Sequence, residues 1–163
     1  MAQLQACSHA PAVRTAAPWA QGRLLLRVDA SAVQPAQSFS AAFELQGNSS
    51  QGELRLFSPL GTRLVTASWS PLGAQLGTPQ GERSFDSLDA LSEQALGQSV
   101  PLAALPDWLA GRPWAGAGHQ LRPDGFEQVG WEVTTSRLAE GQLDARRPAA
   151  PAVLLRVRLE PSS

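Results

Sequence analysis

The sequence LRLFSPLGT at residues 54–62 contains a strand, a tight turn and the start of a second strand. Leu54 and Leu56 alternate with charged residues, which is the period of a half-buried strand. Pro59 stands at the first central position of a four-residue turn, where its fixed φ is favourable, and this places Leu60 at the tip. The stretch therefore predicts an antiparallel hairpin that presents an aliphatic side chain to solvent.

Further strands are predicted on both sides of this hairpin, because apolar and polar residues continue to alternate. The segments with this pattern are residues 21–28, 39–45, 53–57, 63–69, 73–77, 82–85, 119–136 and 153–160. Turn residues such as those at 47–50 separate them by short connections. Successive strands joined in this way form an antiparallel meander.

Residues 88–96 have helical rather than strand spacing. Their apolar positions recur every three or four residues behind Asp86 or Ser87, either of which can cap the free amides of a first turn. Gly97 is a suitable stop, because glycine accommodates the left-handed conformation that often ends a helix. The sequence therefore predicts a short helix here.

A second short helix is predicted from Leu102 to about Gly111. Leu105 and Trp108 lie on its apolar stripe, and Pro106 is tolerated because it falls in the first turn. Strands, then two helices, then more strands are typical of an α+β domain. In such a domain the helices cover or plug a curved antiparallel sheet.

The composition excludes several classes of protein. The chain has 163 residues and a formal net charge of -1, and its 13 basic residues are all arginine, without a basic run. Such a chain has no field that attracts nucleic acid. Its longest apolar stretches are a few residues, against about 20 for a helix that crosses a bilayer, so no transmembrane helix is predicted. The length suits one domain, at residues 21–163, with a sizeable core.

Catalytic and metal-binding patterns are missing from the sequence. His9 and His119 have no plausible catalytic companions, and the single cysteine excludes a multi-cysteine metal site. The glycines before His119 imitate a dinucleotide-binding fingerprint, but Leu121 occupies the position of its third glycine. Asp89 and Asp107 suit helix starts better than acid–base catalysis. We therefore expect no catalytic residue, no metal and no cofactor.

Residues 1–20 are rich in alanine and proline and are predicted to be a tether rather than a folded element. Within them, residues 4–7 (Leu-Gln-Ala-Cys) have the pattern at which lipoprotein signal peptides are cleaved. Cys7 is then either a lipidated anchor or a free surface thiol. A complete signal also needs a basic start and an apolar region of roughly 7 to 15 residues, so the segment is either a truncated signal or a chance match.

The aliphatic tip of the turn has two interpretations. Leu60 is either a contact for a membrane or ligand, or one of the isolated exposed leucines that most proteins carry. Burying one leucine contributes only roughly 1.5 to 3 kcal/mol. This is enough to bias insertion into a membrane but not to anchor a protein there.

Three stretches of the sequence together are specific enough to suggest a family. The first is residues 54–62 with the strand that follows to Trp69. The second is residues 97–113, where proline, leucine, tryptophan, glycine and proline recur at a fixed spacing, and the third is the tryptophan-containing strand at residues 130–133. In this order, over about residues 21–136, the chain resembles the bacterial outer-membrane lipoprotein receptor family LolB.

The resemblance implies an incomplete, strongly curved antiparallel β-barrel, with short helices lidding an apolar cavity that receives acyl chains. The family takes acylated lipoproteins from the periplasmic carrier LolA, a structural relative, and inserts them into the outer membrane without catalysis. Its protruding loop corresponds to Pro59, Leu60 and Gly61, and its lipidated cysteine corresponds to Cys7. The resemblance thus implies a monomer that is lipid-anchored at the periplasmic face of the outer membrane and binds no nucleic acid.

Strand alternation and helical spacing give a candidate wall for such a cavity. Its members are Leu24, Leu26, Phe39, Phe43, Leu54, Leu56, Val65, Leu91, Leu105 and Trp108. Each acyl methylene kept from water contributes about 0.8 kcal/mol, so a lipoprotein needs an apolar container to travel. The alternative is that these residues pack together as a solid core.

Two alternatives to the receptor remain open. One is a soluble periplasmic lipoprotein carrier or lipid-binding sensor of the same fold, and the other is a structural envelope lipoprotein without a ligand cavity. At the carboxyl end, residues 146–151 replace what is a strand in the family. We therefore expect the last edge of the barrel to be abbreviated.

Overall fold

One antiparallel sheet of eleven strands contains about half of residues 19–161, the part of the chain that the computed structural model describes. The predicted segment at 119–136 contains three of these strands. The strands are β1 (Ala20–Val28), β2 (Gln37–Gly47), β3 (Gly52–Phe57), β4 (Arg63–Ser70), β5 (Gly73–Thr78), β6 (Gly81–Phe85), β7 (His119–Arg122), β8 (Gly125–Gln128), β9 (Trp131–Thr134), β10 (Gln142–Arg147) and β11 (Val153–Leu159).

The first and last strands meet in the middle of the sheet, whose order is β6-β5-β4-β3-β2-β1-β11-β10-β9-β8-β7. Seven residue pairs, from Gly22 opposite Leu159 to Val28 opposite Val153, join β1 to β11. Within residues 19–161 no pairing connects β6 with β7. The sheet is therefore an incomplete antiparallel barrel accompanied by short helices, which confirms the predicted α+β class.

The helix α1 (Leu88–Leu96) begins and ends where the sequence predicts. Ser87, rather than Asp86, is the cap, because its Oγ accepts a hydrogen bond from the amide of Ala90 at 3.1 Å. Gly97 ends the helix with a positive φ of 70°. The helix packs against β5 and β6, with Leu91 buried at the contact.

The second helical segment starts at Leu102, as predicted, but as a 3-10 turn (Leu102–Ala104). It continues into α2 (Leu105–Leu109), where Pro106 lies in the first turn and leaves no helical hydrogen bond unmade. A further 3-10 turn (Leu138–Glu140) joins β9 to β10. The two helical segments lie between β6 and β7 in the chain. Their apolar residues pack against the sheet and cover part of one face.

The carboxyl end differs from the expected abbreviated edge. Residues 142–147 form β10, which pairs with both β9 and β11 and so lies inside the sheet. Leu143 and Ala145 are fully buried, whereas Arg146 is exposed. Residues 148–152 lie outside the strands. The strand β10 itself was not predicted, because only two apolar residues mark it.

A two-residue turn joins β8 to β9 and holds a valine in an unfavourable conformation. Among residues 19–161, Val129 is the only residue other than glycine with a positive φ, at 46°, and Gly130 follows with a φ of 81°. Two successive positive values define a type I′ turn, for which asparagine followed by glycine is a preferred pair. A β-branched residue there is strained, with a cost of about 1 to 3 kcal/mol.

Replacing Val129 with asparagine is expected to raise the free energy of unfolding by about 1 kcal/mol, because it removes this strain. Urea denaturation followed by tryptophan fluorescence measures the change. Val33→Asn, at a second exposed valine without a positive φ, is the matched control and should change the value by less than about 0.5 kcal/mol. If both variants unfold at the same urea concentration, Val129 is not strained.

Candidate functional site

An apolar cavity of about 60 Å³ lies between the sheet and the helical segments. Its wall combines strands from both ends of the chain with the inward faces of α1 and of the segment that begins at Leu102. The lining residues are Leu24, Leu26, Phe39, Leu54, Leu56, Val65, Ala67, Leu76 and Leu155 from strands, and Leu91, Ser92, Ala95, Leu96, Val100, Leu102 and Leu105 from the helical side.

All ten predicted wall residues except Phe43 and Trp108 line this cavity. Phe43 is 2% exposed and Trp108 is fully buried, so both belong to the core beside the cavity. Trp108 packs edge-on against Phe126, with ring centroids 6.3 Å apart. Alternation predicts the face that a residue occupies, but it does not predict whether a neighbouring side chain already fills the space in front of it.

Ser92 is the one polar side chain among the described residues that line the cavity. Its Oγ donates to the carbonyl oxygen of Gln98 at 2.9 Å and accepts from the amide of Val100 at 2.7 Å. Because both bonds go to backbone groups, the hydroxyl is not available to a ligand. The wall therefore suits an apolar ligand and penalises a polar one.

The volume of the cavity corresponds to about two water molecules, at about 30 Å³ each. Pockets that hold small ligands usually have about 300 to 1,000 Å³. Phe39 is 37% exposed, so the wall reaches the surface at β2. Ala95 on the helical side is exposed as well, so the cavity is narrow and partly open to the surface. A chain-like ligand requires it to widen.

Gln128 attaches the second helical segment to β8. Its Oε1 accepts from Trp108 Nε1 at 2.8 Å and from the amide of Trp114 at 2.9 Å. Its Nε2 donates to the carbonyl oxygens of Trp114 at 2.7 Å and Ala117 at 2.9 Å. Gln128 is 2% exposed, so water competes little for these four bonds. They hold α2 and the following loop on the sheet.

Arg147 connects β10 to the loop that follows α1. Its Nη2 donates to Gln98 Oε1 at 2.6 Å and to the carbonyl oxygen of Pro151 at 3.0 Å. Its guanidinium carbon lies 6.0 Å from the ring centroid of Trp131, within the range of a cation–π contact. The linker after α1 is thus fixed to the sheet by polar contacts.

By contrast, α1 packs on the sheet through apolar side chains such as Leu91 and Leu96. In the described part of the chain, Ser92 makes its hydrogen bonds to the linker after α1, and neither of these bonds joins α1 to a strand. Apolar contacts are not directional, so a helix held by them can shift with less loss than one held by buried hydrogen bonds. Of the elements that cover the cavity, α1 contacts the sheet through apolar side chains, while Ser92 bonds it to the linker that follows.

Sequence reasoning missed Gln128, Arg147 and Ser92 as residues of the site. Glutamine and arginine on a strand usually face solvent, so the residue types alone do not predict that these two face inward. The available signal was spacing, because Gln128 is two residues from Phe126 and therefore shares its inward face. Nothing in the sequence alone indicates which carbonyl groups the amide would reach.

The predicted turn between β3 and β4 exists and presents its leucine to solvent. Ser58 Oγ accepts from the amides of Leu60 and Thr62, each at 3.2 Å, and the amide of Gly61 donates to the Ser58 carbonyl oxygen at 2.9 Å. Gly61 has a φ of 88°, which glycine adopts without strain. These hydrogen bonds pair backbone amides of the turn with acceptors inside the turn itself. The side chain of Leu60 is 94% exposed.

The match to a protein family agrees with this geometry. The model of the family described as "Outer membrane lipoprotein LolB" matches residues 21–159, nearly the whole described part of the chain.

The chain belongs to the LolB family.

Individual relatives give the same result. The chain is 36% identical over 104 residues to the outer-membrane lipoprotein LolB of Cupriavidus metallidurans, and 37% identical over 120 residues to that of Ralstonia nicotianae. It is 34% identical over 133 residues to that of Bordetella petrii. These alignments cover 60%, 69% and 77% of this chain and 51%, 56% and 63% of the respective relatives. The chain thus spans about half the length of the first two.

The resemblance to the LolB family assigns Cys7 as the lipid anchor, and this residue lies outside the described residues. Within residues 19–161, no helix is both long and apolar enough to cross a membrane. The same residues contain no group of three or more histidine, cysteine or acidic side chains placed to hold a metal ion.

The sequence Ser-Pro-Leu-Gly of the loop recurs at residues 70–73, between β4 and β5. The amide of Leu72 donates to Ser70 Oγ at 3.1 Å, and Leu72 is 97% exposed. Because β4 runs from one turn to the other, the two leucines lie at opposite ends of the sheet. Leu72 therefore offers a matched control for any role of Leu60.

Proposed function

We propose that the protein is an outer-membrane lipoprotein receptor, which accepts acylated lipoproteins from the periplasmic carrier LolA and inserts them into the outer membrane. One observation supports this proposal most strongly: a chain of the LolB family has a cavity whose wall offers only apolar groups to a ligand. The receptor works as a monomer at the periplasmic face, with residues 1–20 as its tether and residues 21–163 as the lipid-binding domain. It uses no cofactor and no catalytic residue.

The cavity receives acyl chains. Each methylene that it removes from water contributes about 0.8 kcal/mol, so an acyl chain has a strong tendency to enter. A cavity of about 60 Å³ cannot hold such a chain until it widens. The helix α1 moves outward, while the bonds of Gln128 and Arg147 keep the rest of the helical side in place.

Transfer requires no fuel. The receptor holds the lipid more tightly than the carrier does and less tightly than the bilayer, so each step is driven by a difference in affinity. Leu60 contacts the membrane during the last step. Its burial supplies roughly 1.5 to 3 kcal/mol, which favours brief insertion but not permanent attachment. A lipid on Cys7 therefore keeps the protein at the membrane.

A charge in the cavity wall is expected to impair lipid binding. Leu96→Glu places a carboxylate in the wall on α1, at a position that is only half-buried and therefore tolerates the change. Binding of a triacylated peptide should weaken at least ten-fold, which corresponds to about 1.4 kcal/mol, because the carboxylate opposes the acyl chain. Native mass spectrometry measures the bound fraction.

The control for this experiment is Gln94→Glu, which adds the same charge to an exposed position of the same helix outside the wall. It should leave binding unchanged. If the wild-type protein does not bind the triacylated peptide, the protein is a structural envelope lipoprotein rather than a receptor. If Leu96→Glu and Gln94→Glu bind equally well, the acyl chain lies elsewhere.

A charge at the turn is expected to impair delivery but not binding. Leu60→Glu should leave folding and lipoprotein binding nearly intact and slow the transfer of a lipoprotein into liposomes about ten-fold, because an ionised side chain resists entry into the membrane. Leu72→Glu carries the same change in the same tetrapeptide at the other end of the sheet. Equal transfer rates for the two variants would remove Leu60 from the delivery step.

The anchor is tested separately from the cavity. When the full-length gene is expressed in a Gram-negative host, Cys7 is expected to carry acyl groups, detected as added mass on the amino-terminal peptide. Cys7→Ala should release the protein from the membrane fraction. A wild-type peptide without added mass would favour a soluble periplasmic carrier or lipid-binding sensor of the same fold.

A further inference from the structure

The direction of the strands places two apolar tips at one end of the sheet. The loop between β1 and β2, residues 29–36, and the turn between β3 and β4, residues 58–62, both connect strands at this end. The tip of the first loop is Val33, which is 88% exposed, and the tip of the second is Leu60, which is 94% exposed. Their hairpins are neighbours, so their axes are about two strand spacings, or about 10 Å, apart.

The Val33 loop is built in the same way as the Leu60 turn. Ser31 Oγ accepts from the amides of Val33 at 3.3 Å and Gln34 at 3.1 Å, and the Ser31 amide donates to the carbonyl oxygen of Gln34 at 2.8 Å. In both loops a serine Oγ accepts hydrogen bonds from backbone amides of the same loop. The aliphatic residue two positions after the serine is exposed to solvent. Internally bonded amides lower the cost of moving such a tip out of water.

The Val33 loop also reaches far enough. Phe57 at the end of β3 pairs with Ala42, and β2 continues for five residues beyond this pair, to Gln37. At about 3.3 Å per residue, the β1–β2 hairpin extends roughly 16 Å past the base of the Leu60 turn. The ladder therefore carries the Val33 loop at least as far along the strand direction as the Leu60 turn.

The two ends of the sheet differ in charge. Five hairpin connections lie at the Leu60 end, at residues 29–36, 58–62, 79–80, 129–130 and 148–152, and Asp29 is the only ionisable residue among them. The hairpin connections at the opposite end contain Asp124, Arg137 and Glu140, all in the half of the sheet formed by β7 to β10, and the connections at 48–51 and 71–72 contain no ionisable residue. On the strands joined by the first two connections, the nearest ionisable residues in sequence are Arg27 and Arg63. Glu82, Glu127 and Arg147 stand one or two residues from the other three connections. Arginine at such a position can extend towards lipid headgroups.

We propose that residues 29–36 form a second membrane-contact loop, in which Val33 enters the lipid bilayer beside Leu60. The inference rests on the proposed function, since it extends the delivery surface of the receptor. One apolar tip leaves the protein free to pivot on the membrane, whereas two tips fix its orientation. The strand β2 lies between the two hairpin turns and carries Phe39, an exposed wall residue of the cavity. The two-point contact therefore directs this part of the wall towards the bilayer.

The test uses the full chain with Cys7→Ala, so that no acyl anchor contributes, and measures partitioning onto vesicles of phosphatidylethanolamine and phosphatidylglycerol by flotation. Val33→Glu and Leu60→Glu should each weaken partitioning about ten-fold, and the double variant should lose about the product of both factors. Val33→Leu should bind at least as tightly as the parent. Leu72→Glu is the matched control and should bind as the parent does, and thermal unfolding verifies that each variant is folded.

The outcomes separate this inference from the proposed function. If Val33→Glu partitions as Leu72→Glu does while Leu60→Glu binds more weakly, the second contact is rejected and the receptor function stands. If neither Val33→Glu nor Leu60→Glu weakens partitioning, delivery through this end of the sheet is rejected as well. If Val33→Glu keeps its vesicle binding but no longer accepts a lipoprotein from the carrier, the loop contacts the carrier protein and the inference is wrong.

Discussion

The ladder between β1 and β11 joins two half-sheets that come from opposite ends of the chain, and the site depends on their contact. The strands approach closely, since a Cβ on Gly22 would overlap the carbonyl oxygen of Arg158. On one side of the ladder, β1 to β5 supply eight of the nine strand residues that line the cavity. On the other side, β8 and β10 supply Gln128 and Arg147, which fix the helical side. Without the ladder the wall would lose its cover.

The small volume of the cavity has a thermodynamic consequence for the proposed lipid-binding function. When no lipid is present, Leu91 and Leu96 of α1 cover the apolar wall, and the hydrophobic effect keeps the helix there. In the proposed function, an entering acyl chain replaces these contacts with others of the same kind, so the net gain in free energy is much smaller than that of transferring the whole chain from water. Affinity is thereby moderated, and the lipid can leave for a bilayer. The bonds of Gln128 localise the movement to α1.

Much of the sheet and cavity could be predicted because strand alternation is a local signal. The positions from Leu24 to Val65 that line the cavity alternate within single strands, and the cap of α1 at Ser87 follows from one side chain. The strand β10 was missed because it offers only Leu143 and Ala145 as apolar markers. Phe43 was placed on the correct face, but its surroundings are set by residues distant in sequence, and spacing cannot encode them.

The tetrapeptide Ser-Pro-Leu-Gly separates what a turn determines from what its surroundings determine. At both Leu60 and Leu72 it produces a leucine braced by a serine hydroxyl and almost fully exposed. Burying either leucine in a membrane would release roughly 1.5 to 3 kcal/mol, whereas taking one ionised side chain into the bilayer centre costs about 2.5 to 3.5 kcal/mol or more. A single charged neighbour drawn into the membrane therefore offsets a leucine. The tetrapeptide thus determines the exposure of its leucine, whereas the free energy of a membrane contact depends on the charged residues around that leucine.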